Sequence, residues 1–170
     1  MEIDEVFIKN LSEDELDDIL IIQRQAYGSL LWEDKDVFSH KLHLFPQGCW
    51  IARLNGNPVA YLLSHPWLRS IIVPLNRKTD CLPPNPDCFY IHDLAVAPPF
   101  RRQGISRQLV KKAFGLARAL QFNIVFLVSV QNSSTFWAKF GFELQEPLNQ
   151  KMIEDLKSYD ENARLMIAQI

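Results

Sequence analysis

The stretch 88–120, CFYIHDLAVAPPFRRQGISRQLVKKAFGLARAL, constrains this chain more than any other. An apolar run from Phe89 to Val96 is broken only by His92 and Asp93, and Pro98-Pro99 ends it because proline has no ladder donor and a fixed φ. Two arginines, a glutamine and Gly104 follow. Leu109, Val110, Ala113, Phe114, Ala117 and Leu120 then recur at the spacing of one helical face. The order is strand, short basic glycine turn, amphipathic helix. The first amides of a helix lack internal partners and carry the positive end of its dipole. A glycine lets a ligand approach the backbone closely, and Arg101 and Arg102 add charge beside those amides. Such a turn can hold a phosphate or pyrophosphate. A plain turn with solvated arginines has the same residues, and one glycine does not separate the two readings.

The wider stretch does. Arg101-Arg102-Gln103-Gly104-Ile105-Ser106 resembles the Arg/Gln-x-x-Gly-x-Gly/Ala signature of the GNAT superfamily of N-acetyltransferases, and Leu94-Ala95-Val96-Ala97-Pro98 resembles the strand leading into it. Further on, Phe136-Trp137-Ala138-Lys139-Phe140-Gly141-Phe142-Glu143 resembles the second marker, aromatic-Tyr-x-x-x-Gly-Phe-Glu. The resemblance covers roughly residues 88–146. It departs from the pattern at Ser106, where Gly or Ala is usual, and at Trp137, where many members have tyrosine.

The whole chain bounds the reading. Its 170 residues suit one domain, 1–170, with a full core. A hydrophobic content of 48% with 22% charged residues is an ordinary globular balance. No apolar run approaches the ~20 residues that span a bilayer, and the start MEIDEVF is acidic, so a cytoplasmic protein with no membrane partner is expected. Cys49, Cys81 and Cys88 have no metal-type spacing, so neither a disulfide framework nor a metal site is expected. The net charge of −2 does not favour nucleic acid. Its distribution is uneven. Between Leu94 and Phe142 there are seven basic residues and no acidic one, whereas Met1 to Ala60 has eleven acidic and five basic. A basic half suits an anionic cofactor and an acidic half a cationic acceptor. Solvated helix faces explain Lys111, Lys112 and Arg118 better.

Taken in order, 5–9 reads as a strand. Ser12 with Glu15 is a capping box that starts a helix running to Tyr27-Gly28. A loop, SLLWED, precedes a second helix over 36–44, closed by Pro46. Strands over 49–53 and 58–65 flank Asn55-Gly56, a tight hairpin turn. The segment 65–87 loses periodicity and has five prolines, so a long mobile loop is expected, with a short strand over 70–73. Beyond the central stretch come a buried strand over 124–130, a short helix from Ser133 or Ser134 to Gly141, a strand over 142–145, a linker with one helical turn over 148–159, and a last strand over 163–168. This is an α/β (α+β) chain: a mixed, mostly antiparallel sheet of six or seven strands with helices on both faces. The resemblance implies that the strand before Pro98 and the strand from Ile124 are parallel and splay apart around a pantetheine arm.

The resemblance also implies the chemistry: acetyl transfer from acetyl-CoA to the primary amine of a small cationic acceptor by direct attack in a ternary complex. The amides of Gln103, Gly104, Ile105 and Ser106, with Arg101 or Arg102, would anchor the cofactor. The backbone of Leu94, Ala95 and Val96, freed by a bulge, would meet the pantetheine and the carbonyl. Trp137 would pack on the cofactor. The sequence Tyr90-Ile91-His92-Asp93-Leu94-Ala95-Val96 resembles the strand of aralkylamine N-acetyltransferases, which makes His92 the candidate base, since histidine titrates near neutral pH. An interior, hydrogen-bonded histidine is the alternative. His65 is a weaker candidate. By period 2, Asp93 points away from His92 unless the bulge alters this. Indole is no usable acid. Tyr90 protonates the thiolate, or the thiolate leaves unassisted, or catalysis has been lost. Tyr27, Trp32, Glu33 and Asp34 are candidate acceptor contacts on the lip between the first two helices. A protein or peptide acetyltransferase, or a non-catalytic acyl-CoA-binding domain, are the competing functions, and a monomer or homodimer the expected state.

Overall fold

The computed structural model describes residues 5–170. β1 (Val6–Asn10) is followed by α1 (Leu16–Ala26), α2 (Lys35–Leu44), β2 (Cys49–Leu54) and β3 (Asn57–Trp67). Then come β4 (Cys88–Val96), α3 (Ile105–Ala119), β5 (Ile124–Ser129), α4 (Ser134–Ala138), β6 (Glu143–Leu144), α5 (Gln150–Leu156) and β7 (Arg164–Gln169). The seven strands form one sheet in the order β1-β2-β3-β4-β5-β7-β6. Every pair is antiparallel except β4–β5.

Local chemistry explains most boundaries. The Ser12 amide and hydroxyl both donate to the Glu15 carboxylate (3.2 and 2.8 Å), the capping box ahead of α1. Gly28 does not stop that helix by a left-handed turn. Its φ is −65°, and the chain leaves α1 through an extended Tyr27. Asn55 and Gly56, at φ 50° and 81°, make the β2–β3 turn. α3 ends in a Schellman motif built on glutamine: Gln121 is left-handed (φ 66°), and the Phe122 amide donates to the Ala117 carbonyl (2.9 Å). Leu120, the last residue before that turn, is exposed.

The sheet separates two apolar layers. On one face Leu109, Val110, Ala113 and Ala117 of α3 pack on Leu62, Phe89 and Ile91, joined by Trp137 and Phe142. On the other, Leu16, Ile19 and Ile22 of α1 and Phe38 and Leu42 of α2 pack on Ile51, Tyr61, Leu63 and Ala95. A third cluster joins Tyr90 and Phe126 to Ile72, Val73 and Met152.

Two segments differ from expectation. The loop 68–87 contains no strand at 70–73. It is also bonded down along its length: Tyr159 Oη donates to the Val73 carbonyl (2.6 Å), the Leu75 amide to Ser158 Oγ (2.9 Å), and Lys78 pairs with Asp36 (2.6 Å). The expected single turn in 148–159 is instead α5, capped by Asn149, whose side chain accepts from the Met152 amide (2.9 Å). Cys49, Cys81 and Cys88 are free thiols. Among the described residues, no helix is long and apolar enough to cross a membrane.

Candidate active site

The site is made by a failure of pairing. β4 and β5 match only at Phe89↔Val125, Tyr90↔Phe126 and Ile91↔Leu127. Beyond that seam β5 stays with β7 and β4 stays with β3, so the parallel strands diverge. A cavity of about 610 Å³ lies in the gap. A bulge in β4 shapes its floor. Leu63 faces Asp93 while Ser64 faces Ile91, so His92 is the extra residue. The bulge shifts the pleat by one. Ile91 and Leu94 both pack toward α3, and His92 and Asp93 both line the cavity. The period-2 expectation that Asp93 points away from His92 is corrected by that single residue.

Past the bulge, alternate peptide groups face the gap. The Tyr27 hydroxyl lies 2.6 Å from the Leu94 carbonyl, and Arg101 Nε donates to the Val96 carbonyl (3.2 Å). A strand residue's N–H and C=O point to the same edge. The Leu94 and Val96 amides are therefore on the open side. Ala95, which also lines the cavity, and Ala97 turn their peptide groups to β3, as the Ala97 amide's bond to the Val59 carbonyl (2.9 Å) requires.

At the mouth, Gly104 is the N-cap of α3 with φ 78°. No protein atom lies within 4 Å of where its Cβ would be, so the requirement for glycine is conformational. The first α3 amide bonded to a carbonyl is that of Gln108, to Gly104 (3.2 Å). The amides of Ile105, Ser106 and Arg107 precede it, and all three residues line the cavity with Arg102. Arg101 lines the cavity as well, through a side chain that already has protein partners. The Arg101 guanidinium is turned back on the Val96 and Ala26 carbonyls (3.2 and 3.3 Å). Gln103 does not line the cavity, and its side chain reaches the Pro99 carbonyl (3.5 Å).

At the inner end His92, Glu33 and Asp93 come together, with the Tyr27 and Tyr61 hydroxyls on Asp93. His92 Nε2 donates to Glu33 Oε1 (2.5 Å), and both side chains are almost wholly buried, 1% and 2% exposed. His92 Nδ1 is buried with no protein partner. The Glu33 backbone is held by Gln23, which accepts from its amide (2.7 Å) and donates to its carbonyl (3.0 Å). Burial alone would raise the Glu33 pKa, but His92 and Lys41 outweigh it and hold the carboxyl below its ordinary range. Burial pushes Asp93 upward, helped by Glu33, against the pull of His92 and of the Tyr61 and Tyr27 hydroxyls. Those hydroxyls lie at its two oxygens, Tyr61 on Oδ2 (2.6 Å) and Tyr27 near Oδ1 (2.8 Å). Burial, then Asp93, keeps both tyrosines protonated far above their ordinary range. Lys41 is buried, and its pKa is lowered by burial against Glu33 and Asp93.

The remaining expected residues divide. Tyr27, Glu33 and Trp137 line the cavity; Trp32 and Asp34 do not. The Trp32 indole donates to the Tyr27 carbonyl (3.0 Å) and its ring carries the Arg24 guanidinium at 5.8 Å. Asp34 is bonded to Asn76. Trp137 packs in an aromatic group with Phe136, Phe140 and Phe142. Tyr90 is fully buried, stacked on Phe126 at 4.4 Å, and does not itself line the cavity. His65 is also outside, and burial holds its pKa down to about 3. Sequence reasoning missed Leu31, Leu75 and Tyr159, which wall the inner end from three separate segments. It also missed Lys41, and it did not pair Glu33 with His92, 59 positions away. Each was singled out separately, Glu33 in the acidic loop SLLWED and His92 in its strand, with nothing in the sequence to join them.

A model of the acetyltransferase (GNAT) family matches residues 14–142. An uncharacterized N-acetyltransferase of Methanocaldococcus jannaschii is 28% identical over 153 residues, covering 82% of this chain and 61% of the relative. One of Bacillus subtilis is 22% identical over 125 residues, covering 64% of this chain and 54% of the relative. The chain thus spans less than two thirds of either relative's length. The crystal structure of the PaiA N-acetyltransferase from Thermoplasma acidophilum, in complex with coenzyme A, superposes with a TM-score of 0.69 at 13% identity, covering 98% of this chain and 99% of that one. At that identity the likeness is one of fold.

Proposed function

Because this chain belongs to the acetyltransferase (GNAT) family, we propose that it transfers the acetyl group of acetyl-CoA to the primary amine of a small cationic acceptor. The observation that carries the reading is His92, bonded to buried Glu33 through Nε2 and unpartnered at Nδ1, in a cavity that reaches the N-terminus of α3. The residues fit the cofactor. Glycine in a left-handed cap leaves the mouth unobstructed, and the amides of Gly104, Ile105 and Ser106 with Arg102 suit a pyrophosphate. The peptide edge at Leu94 and Val96 and the apolar wall of Leu127, Phe136, Trp137 and Phe140 suit a pantetheine arm. When bound, acetyl-CoA supplies an acetyl thioester.

The chain's own groups then have distinct work. An alkylamine has a pKa of roughly 10 and must lose a proton to attack. The carboxylate of Glu33 fixes the His92 proton on Nε2, so Nδ1 offers a lone pair to that ammonium and the resulting imidazolium stays paired. The Leu94 or Val96 amide is placed to polarise the acetyl carbonyl. As the new C–N bond forms, the C–S bond breaks and its electron pair leaves on sulfur. A thiol with a pKa of about 8.5 is a better leaving group than an amine of about 10, so the departure needs no acid. This accounts for a site with Trp137 and no tyrosine in its place. Glu33 and Asp93 at the inner end favour an ammonium over an anion. The wall of Leu31, Leu75 and Tyr159 favours a small acceptor over a polypeptide passing through.

The test is thiol release from acetyl-CoA across a panel of amines, anions and peptides. Small amines should give turnover, and His92→Gln should lower it about a hundredfold while a CoA-induced thermal shift persists. A thermal shift by CoA with no acceptor giving turnover would favour the non-catalytic binding reading that Trp137 suggests.

A further inference from the structure

The loop 68–87 touches the acid–base pair at one residue. The Asn76 amide donates to Glu33 Oε2 (2.8 Å), the oxygen that His92 leaves free. The Asn76 side chain closes the same junction twice more. Its Oδ1 accepts from the Asp34 amide (2.8 Å), and its Nδ2 donates to Asp34 Oδ2 (3.0 Å). Three bonds therefore tie residue 76 to residues 33 and 34. The backbone of Asn76 is left-handed, φ 57°, a conformation that asparagine tolerates better than most residues. On either side the loop is held by other bonds: Leu75, a cavity wall, to Ser158 (2.9 Å), and the Arg77 carbonyl to Lys41 Nζ (3.3 Å).

We propose that Asn76 is a positioning residue for the reaction: it fixes the rotation of the Glu33 carboxylate, and through it the tautomer and tilt of His92. The inference rests on the reading of His92 and Glu33 as the base and its partner. A carboxylate has two equivalent oxygens and turns freely about its last bond unless both are engaged. With Oε2 held by the loop, Oε1 is left facing Nε2, and Nδ1 is left without a protein partner. Support of this kind, one bond removed from the reacting atoms, decides whether a base sits in register with its proton. Asp34, expected among the acceptor contacts, belongs to this clamp.

The test is a repair. Asn76→Asp puts a carboxylate against Asp34 Oδ2 in place of a donor, while keeping a residue that accepts a left-handed backbone. It should lower kcat about tenfold, with the KM for acetyl-CoA unchanged. Asn76→Asp with Asp34→Asn restores one donor facing one acceptor, and kcat should return to within about threefold of wild type. A merely structural role would lower the melting temperature without this split and repair. Asn76→Gly, which keeps the backbone conformation and its amide, should lose rate without loss of the CoA-induced thermal shift. The inference is overturned if Asn76→Asp and Asn76→Gly turn over like wild type, or if the double variant is as slow as Asn76→Asp. His92→Gln and Glu33→Gln separate the two levels. If these are also as fast as wild type, the acid–base reading fails as well; if they are slow, only the role of Asn76 fails.

Discussion

Glu33→Gln is the most discriminating single substitution, because two donors converge on one side chain. The Glu33 carboxylate accepts from His92 Nε2 (2.5 Å) and from the Asn76 amide (2.8 Å). A carboxamide of the same shape has one acceptor and one donor end. If its oxygen turns to His92, its NH2 meets the Asn76 N–H and the loop loses its hold. If its NH2 turns to His92, the imidazole must carry its proton on Nδ1, and the atom that should take the acceptor's proton is blocked. Either orientation removes a charge-assisted bond of about 1.5–3 kcal/mol. At about 1.4 kcal/mol per factor of ten, kcat should fall by roughly ten- to a hundredfold. The fold also loses a counter-charge for buried Lys41, a loss of about 1–3 kcal/mol on the scale of single substitutions at buried sites. The pH dependence has a definite sign. The Glu33 pKa is depressed below its ordinary 4.5. Its stabilisation is therefore complete above that value and is lost as pH falls through the folded-state value. Melting temperatures of wild type and variant should be apart at neutral pH and converge in acid. Thiol release and thermal denaturation from neutral to acid pH measure both. A variant with kcat within about threefold of wild type, or a melting gap constant across the range, would refute the argument.

Two further substitutions test other parts of the site. Gly104→Val should abolish the CoA-induced thermal shift, because a β-branched residue cannot hold φ 78° without strain, and the start of α3 would move; an undiminished shift would exclude this turn as the anchor. Trp137→Phe should retain kcat within about tenfold, since the ring packs among Phe136, Phe140 and Phe142; a loss beyond about a hundredfold with CoA binding intact would give the indole a chemical role.

The helix and strand order was readable because it rests on local rules: the capping box at Ser12, the Asn55-Gly56 turn, the proline stop at Pro98 and the apolar face of α3. The mouth of the cavity was readable for the same reason, since Gly104 and the α3 amides are consecutive. The inner end was not. Asp93 joins His92 on the cavity side only because β4 has one residue more than β3 at that point, and no period in the sequence records a bulge. Glu33 reaches His92 from a segment 59 positions away. Prolines from Pro66 to Pro86 suggested only a loop; the bonds its middle part makes to Glu33, Asp34, Ser158 and Tyr159, in distant segments, left no mark in its sequence. Tyr90 drew notice by its place beside His92. In space its ring stacks on Phe126 across the seam and meets the His92 ring edge-on at 5.8 Å.

In mechanical terms that seam makes the sheet two stiff plates on a short hinge. β3 and β4 are matched at eight positions and β5 and β7 at six, but β4 and β5 at three. The seam is thus a sparsely paired junction between the two halves of the sheet, and the bulged floor that carries His92 lies wholly on the β3–β4 side of it.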